Sequence, residues 1–287
     1  PKLMVINGDH RDRAPLSIDT ECIGYSAPYV YLGAHILDDG RMPSVMKKQV
    51  QSASKHVIKF NSFVQKNSNM PFSFKARVMK AALISAMLYS CESWITGNFS
   101  SINKQYMSAV KALLGVRLST PNTLCLLEAG LSEVSSIIKQ RQTTFMKRFM
   151  AKTTGEEPLS QALQLCTDTR MAQGLQAALA VEEDLEEASS QRLREECRRK
   201  AQSASRFATY LEMNPHLEVH ALYTEDHSVP DSLRISFSRL RLSSHRLRVE
   251  TGRWMRIPRE ERLCNCSLNE IQNEEHAVLR CDRTLHL

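Results

Sequence analysis

The chain is 287 residues long, 42% hydrophobic and 24% charged, the balance of a folded protein rather than of a disordered or collagen-like one, and the length suits one large or two modest domains. No apolar run approaches the ~18 residues of a membrane span, and the opening PKLMVINGDHRDR lacks the apolar block of a signal peptide. The formal net charge is +7, and aromatic residues, at 6%, are too few for a barrel or sandwich of aromatic strands.

Residues 1–36 read as short strands. Leu3-Met4-Val5-Ile6 is an apolar run closed by Asn7-Gly8, a turn signal; Ile18, Ile23 and Tyr29-Val30-Tyr31-Leu32-Gly33 continue the β character, and Asp38-Asp39-Gly40 closes it as a turn. From Met42 the period becomes helical: Met42, Val45, Met46, Val50, Ala53, Val57, Phe60 and Val64 step by three or four. A second helix is predicted from Phe72 to Trp94, apolar around much of its circumference from Ala81 to Leu88. Further helices are predicted over 101–114, stopped by Gly115, from Ser119-Thr120-Pro121 to Gly130, and over 132–152. Thr153 to Pro158 is a polar break. Residues 170–213 read as helical, with an acidic run at Glu182-Glu183-Asp184 and Glu186-Glu187; 214–231 read as a linker or a short strand excursion, and Ser232 as the cap of the next helix. Of the twelve methionines, Met42, Met46, Met79, Met87 and Met146 fall at helical core positions, where methionine fills gaps.

The fold class expected is mainly α. Residual strands occupy 1–40, a helical bundle 41–153, a helical connector 154–231, and a basic helix with a small metal-bound segment 232–287.

The charge is concentrated. Residues 233–262 hold nine arginines (234, 239, 241, 246, 248, 253, 256, 259 and 262) against Glu250, Glu260 and Glu261, so this window carries +6 and the other 257 residues about +1. Such a stripe fits a polyanionic partner or a solvated helix face. Five of the eight cysteines, Cys22, Cys91, Cys125, Cys166 and Cys197, are scattered, which in a chain without a signal peptide points to a reducing, intracellular compartment, cytoplasmic or nuclear. The other three, Cys264, Cys266 and Cys281, lie close together with His276 between them. Three thiolates and an imidazole are a zinc ligand set, and a short helix from Glu270 to Arg280 would bring His276 and Cys281 towards the Cys-x-Cys turn. Binding at such sites is worth about 10–16 kcal/mol in small peptides. The competing reading is three incidental cysteines and a surface histidine, and Cys-x-Cys is a less common spacing than Cys-x-x-Cys.

Asp38-Asp39 has the form of a carboxylate pair that could hold Mg²⁺, but no third acid sits on a neighbouring strand, and Asp-Asp-Gly reads as a turn. There is no phosphate-binding glycine loop, dinucleotide fingerprint or nucleophile elbow.

Several segments, in order, resemble the C-terminal part of non-LTR (LINE-type) retrotransposon reverse transcriptases. Tyr29-Val30-Tyr31-Leu32-Gly33-Ala34-His35-Ile36 with Asp39-Gly40 resembles the primer grip, and Lys2-Leu3-Met4 the strand before it. Leu88-Tyr89-Ser90-Cys91-Glu92-Ser93-Trp94 resembles the thumb signature Leu-Tyr-Gly-x-Glu-x-Trp, with Ser90 in place of its glycine at a site expected to be close-packed. Leu114-Gly115-Val116, Glu128-Ala129-Gly130-Leu131, Arg239-Leu240-Arg241, Gly252-Arg253-Trp254, Ile257-Pro258-Arg259 and Arg262-Leu263-Cys264 follow, leading into the Cys/His cluster.

The resemblance implies a primer grip at Tyr31, Leu32 and Gly33, a helical thumb, and a C-terminal zinc knuckle with Zn²⁺ on Cys264, Cys266, His276 and Cys281. RNA and DNA, as template and primer, would be held by Arg239, Arg241, Arg246, Arg248, Arg253 and Arg256, with Trp254 either stacking on an unpaired base or packing under the knuckle. The family's catalytic acids, which hold Mg²⁺, would fall before Pro1, so no polymerase activity is expected of this chain alone, nor a small-molecule substrate or a membrane. Two other readings stand beside this one. The chain could be a helical protein-interaction module or inert pseudogene product, with the Glu182–Glu187 region as partner surface and the zinc only holding the fold. It could also be the end of an active reverse transcriptase whose catalytic front lies upstream.

Overall fold

The computed structural model describes residues 2–94, 98–152, 184–224 and 229–284, together with 155, 157, 158, 160, 161, 173, 174, 176, 177 and 180. Thr153, Thr154 and Glu156 of the expected break, and Cys166, Glu182, Glu183, His227 and His286, lie outside these. The protein is mainly helical: short N-terminal strands precede a helical region, and the Cys/His cluster lies at the C-terminus. The chain divides into two compact units, one of Pro1–Lys66, Lys75–Ala109 and Ser132–Gln191, the other of Asn67–Phe74, Val110–Leu131 and Arg192–Leu287.

In the first unit, β3 (Glu21–Tyr25) pairs parallel with β1 (Lys2–Leu3) and antiparallel with β2 (Leu16–Ile18). The apolar run Leu3–Ile6 contributes only its first residue to this sheet. Strands β4 (Pro28–Tyr31) and β5 (Ala34–Leu37) form a hairpin in the register Tyr31↔Ala34, leaving Leu32 and Gly33 as a two-residue turn. Their φ values are 46° and 85°, the positive pair that a tight hairpin turn matched to strand twist requires.

Asp38 accepts from the Tyr25 hydroxyl at 2.6 Å and pairs with Arg13 at 3.1 Å. Asp39 accepts from the Ser44 hydroxyl and the Arg41 amide, bonds that hold its carboxyl below the usual range. The two acids therefore close the hairpin and open the next helix.

That helix, α1 (Met42–Lys66), buries Met46, Ala53, Val57, Phe60 and Val64, the stripe read from the sequence. The next starts at Phe72 as expected but ends early. It runs as α2 (Phe72–Val78), widens to π-type turns over Met79–Ile84, and closes as α3 (Ser85–Met87). The predicted extension to Trp94 fails because Ser90 adopts φ 61°, in the left-handed region. A helix end needs partners for its free carbonyls. The helices α4 (Ser100–Leu114) and α5 (Asn122–Ala129) follow, then α6 (Val134–Lys152), which supplies those partners. Gln142 donates to the Cys91 and Trp94 carbonyls at 3.1 and 2.9 Å, and Arg141 to that of Leu88.

Ser90 is half-buried rather than close-packed, so the glycine of the resembled signature suits this position through its backbone freedom. An L-residue at such a dihedral costs roughly 1–2 kcal/mol, part of which a glycine returns to the flexible unfolded chain. Ser90→Gly is therefore expected to raise stability by up to about 1 kcal/mol, read as a higher urea midpoint; a lower midpoint would contradict the strain.

The second unit is built around α5, whose residues Thr123 to Ala129 are all buried. Packed with it are α7 (Leu185–Ala201) beyond Arg192, α8 (Ser205–Met213), α9 (Ala221–Thr224), α10 (Asp231–Arg241) and α11 (Arg248–Trp254). Leu193, Cys197, Phe207, Tyr210, Leu217, Tyr223, Leu242 and Val249 complete its core. Helix α10 starts at Asp231 with Pro230 in the cap position, not at a Ser232 cap; proline's fixed φ suits a helix entry. The expected linker at 214–231 contains α9.

Gly115 ends α4 at φ 70°, and a Cβ there would lie 2.7 Å from Ile235. The site thus requires glycine both for its dihedral and for the close approach of α10.

Candidate metal centre and arginine cleft

Four ligating side chains converge near the C-terminus. Leu263 and Ile271 form an antiparallel bridge, tightened by Cys264 N–H to the Glu270 carbonyl at 2.7 Å and Gln272 N–H to the Arg262 carbonyl at 2.9 Å. This small hairpin turns Cys264 and Cys266 towards a wide helical turn, His276–Arg280, that carries His276 and leads into Cys281.

The ligand atoms of Cys264, Cys266, His276 and Cys281 all lie within 4.8 Å of one another. Cys264 Sγ is 3.8 Å from Cys281 Sγ, and Cys266 Sγ is 3.3 Å from His276 Nε2. Three of the four side chains are buried, so the group can hold a metal ion.

The surroundings prepare it. Glu270 lies 3.1 Å from His276 Nδ1, leaving Nε2 to face the sulfurs, the outer-shell arrangement that orients ligating imidazoles. Gln272 donates to Cys264 Sγ at 3.4 Å. Burial pushes the Cys264 thiol up. Burial works the same way on Cys281, but the Arg283 amide and Thr284 hydroxyl, with Cys264 and His276, bring its thiol down to about 7. These bonds favour the thiolate form of Cys281, the form in which a thiol can ligate a metal.

The cluster is stitched to α11. Val249 N–H donates to the Gln272 carbonyl at 3.1 Å, Arg262 Nη1 to the Val249 carbonyl at 2.9 Å, and Arg248 Nη1 to the Leu263 carbonyl at 3.0 Å.

The arginine stripe divides by environment. Arg234 is buried against Asp231 and the Phe72 ring. Arg241, expected to face phosphate, is turned inward. Its guanidinium straddles Glu128, Nε to Oε1 at 2.8 Å and Nη2 to Oε2 at 3.0 Å. Glu128 is 0% exposed and also accepts from the Tyr223 hydroxyl at 2.7 Å and the Tyr210 hydroxyl at 2.9 Å. Burial, reinforced by Glu128, pushes both phenols up, which keeps them donors.

Arg262 is spent on main-chain carbonyls, and Arg253 pairs with Glu250 at 3.0 Å while half-buried. Arg239, Arg246, Arg248, Arg256 and Arg259 are exposed. Arg256 has φ 58° in the position after α11 that glycine most often fills; Ile257 N–H to the Gly252 carbonyl closes that cap at 2.9 Å. Trp254 is 49% exposed, so it does not pack as core beneath the cluster.

Of the primer-grip residues, Tyr31, Leu32 and Gly33 form the end of the β4–β5 hairpin in the first unit, with Leu32 77% exposed. Tyr89 of the thumb-like signature reaches this turn. Its hydroxyl donates to the Leu32 carbonyl, and its ring stands where a Cβ on Gly33 would come within 3.0 Å. Two segments picked out separately by resemblance therefore meet.

Arg117 was not identified from the sequence. It lies far outside the arginine-rich window, and only the fold brings it there. Its amide donates to Ser244 Oγ at 2.9 Å, its Nη2 to the His245 carbonyl at 2.6 Å, and its guanidinium lies 4.0 Å from the Trp254 ring centroid.

No protein-family model, curated protein or solved structure matches the chain. Among the described residues, no helix is long and apolar enough to cross a membrane.

Proposed function

We propose that this chain is the non-catalytic, C-terminal part of a LINE-type reverse transcriptase and that it grips RNA and DNA through a zinc-held basic surface. The observation that carries this reading is the group of exposed arginines Arg239, Arg246, Arg248, Arg256 and Arg259 around α10 and α11, set beside an exposed Trp254 and tied to the Cys/His cluster. Phosphate binding needs cations that are not already neutralised, and these five are the part of the stripe left open to solvent.

The donor set supports zinc as the ion. Tetrahedral Zn–S bonds of about 2.3 Å put two sulfurs about 3.8 Å apart, the separation of Cys264 and Cys281. The metal's part is structural. It holds Leu263 and Gln272 against α11 and so fixes the direction in which Arg248 and Trp254 point. In the first unit, the exposed Tyr31-Leu32-Gly33 turn, buttressed by Tyr89, is suited to contact a primer strand. The buried free thiols Cys91, Cys125 and Cys197 agree with an intracellular setting, cytoplasmic or nuclear.

The test is equilibrium binding of a labelled RNA at low salt. Wild type is expected to bind, and the triple variant Arg239→Ala, Arg246→Ala, Arg248→Ala to lose at least about tenfold in affinity. Arg241 is left out of this set because its removal would test the core. No binding by the wild-type chain, or equal binding by the triple variant, would overturn the proposal.

A further inference from the structure

A cleft of about 440 Å³ opens in the second unit between the α4–α5 turn and the end of α10, a volume typical of small-ligand sites. Arg117, Arg239 and Arg246 line it, with the Ser236 and Ser244 hydroxyls and His245. None of the described lining residues is acidic. Two carboxylates behind the lining already have partners: Glu274 bonds the lining residue His245 at 2.7 Å, and Glu250 pairs with Arg206 and Arg253.

Arg246 makes no ion pair among the described residues, and Arg239 bonds only through Nε, to the Gly115 carbonyl at 2.7 Å. Three guanidiniums line one concavity in which no described lining residue is acidic. Burial lowers the affinity of Arg117 for its proton, and Arg246, Arg206 and Arg239 lower it further against the opposing pull of Glu250. That is the electrostatic signature of a place suited to an anion.

Arg117 also links the cleft to Trp254. Its guanidinium covers one face of the indole at 4.0 Å, while about half of the side chain stays open to solvent. Arg117 lines the cleft and also covers the indole, so the exposed part of Trp254 lies next to the cationic cleft. This pairing of a stacking platform with backbone-binding charge suits single-stranded nucleic acid, because a paired base cannot be stacked from outside its duplex.

We propose that Arg117, Arg239, Arg246 and Trp254 form a subsite for one unpaired nucleotide, its phosphate in the cleft and its base against Trp254. The proposal rests on the nucleic-acid reading above and narrows it from any polyanion to an unpaired strand.

Tryptophan fluorescence tests it. The other tryptophan, Trp94, is 2% exposed, so contact quenching reports Trp254. A ten-nucleotide single-stranded RNA is titrated into the full chain alongside a duplex of the same sequence and inorganic phosphate. The single strand is expected to quench, and the duplex to bind without comparable quenching. Trp254→Ala should weaken single-strand binding by about 5- to 150-fold, with Trp254→Phe retaining most of it. Arg246→Ala, which removes no hydrogen bond or ion pair seen among the described residues, should weaken it by about tenfold and flatten the salt slope by roughly one. Arg117→Lys, which keeps the charge but loses the planar cover of the indole, should change the quenching more than the affinity.

Equal quenching by duplex and single strand, or unchanged binding by Trp254→Ala, would overturn the subsite while leaving nucleic-acid binding intact. Displacement of the RNA by millimolar inorganic phosphate with no recovery of Trp254 fluorescence would show that the bound RNA did not touch the indole, and would overturn it too. No binding to either nucleic acid would overturn the broader reading together with this one.

Discussion

Stripping the metal is expected to melt residues 262–284 and to loosen α11 with them. This segment has few apolar contacts of its own. Cys264, Cys281 and His276 are its buried side chains among the described residues, and all three belong to the cluster that could hold a metal ion. A structural zinc bound by small peptides contributes about 10–16 kcal/mol, so on the proposed zinc reading the fold of the hairpin and the wide turn is expected to depend on it. Without the ion, the cysteines and imidazole are buried polar groups in mutual contact, and solvent competes for them.

The loss should travel to α11 along three bonds: Val249 to Gln272, Arg262 to Val249 and Arg248 to Leu263. Hydrogen exchange at the Cys264, Gln272 and Val249 amides reads it. Protection is expected to collapse on chelation or in Cys266→Ser, and RNA affinity to fall with it. Unchanged protection in a chain shown by elemental analysis to contain no metal would contradict the zinc assignment.

Breaking the Glu128–Arg241 pair is expected to cost the second unit about 3–5 kcal/mol. Glu128 has four charged or phenolic donors directed at it within 3.0 Å. Replacing it with alanine leaves the Arg241 guanidinium buried and uncompensated, and deprives two tyrosines of their acceptor. Against a typical total of 5–15 kcal/mol, that loss is large enough to unfold the unit at moderate urea. Glu128→Met with Arg241→Met should recover much of the loss, because a buried ion pair replaced by apolar groups of similar volume is often neutral. Urea unfolding followed by hydrogen exchange in α5 and α10 checks both variants. A cost below about 1 kcal/mol for Glu128→Ala would mean that the network is looser than its distances indicate.

These two sites also mark what could and could not be read in advance. The cluster of Cys264, Cys266, His276 and Cys281 was legible because it is local: all four lie within 18 residues, and thiols and imidazole have few other reasons to gather. The stripe of α1 was legible for the same reason, since helical periodicity is a short-range signal.

Arg241 was misread because its partner, Glu128, is 113 residues away. A count of charges in a window cannot tell an arginine held by a distant buried carboxylate from one facing water. Arg117 was missed for the converse reason: it is a single arginine in an unremarkable loop, given its role by Ser244, His245 and Trp254. The early end of the helix at Met87 escaped because its cause is one serine in a left-handed conformation, a choice that the apolar pattern from Ala81 to Leu88 does not report.

The structure says which arginines are open to the nucleic-acid grip. Nine arginines on phosphate would give a slope of log K against log salt near −8, but only five of the nine are exposed. The central claim, that this surface grips nucleic acid through those five, is tested most directly by measuring affinity for a labelled single-stranded RNA from about 50 to 300 mM salt. At about −0.7 per phosphate contact, the account predicts a slope near −3.5. A slope near zero, or no binding at the lowest salt, would contradict it.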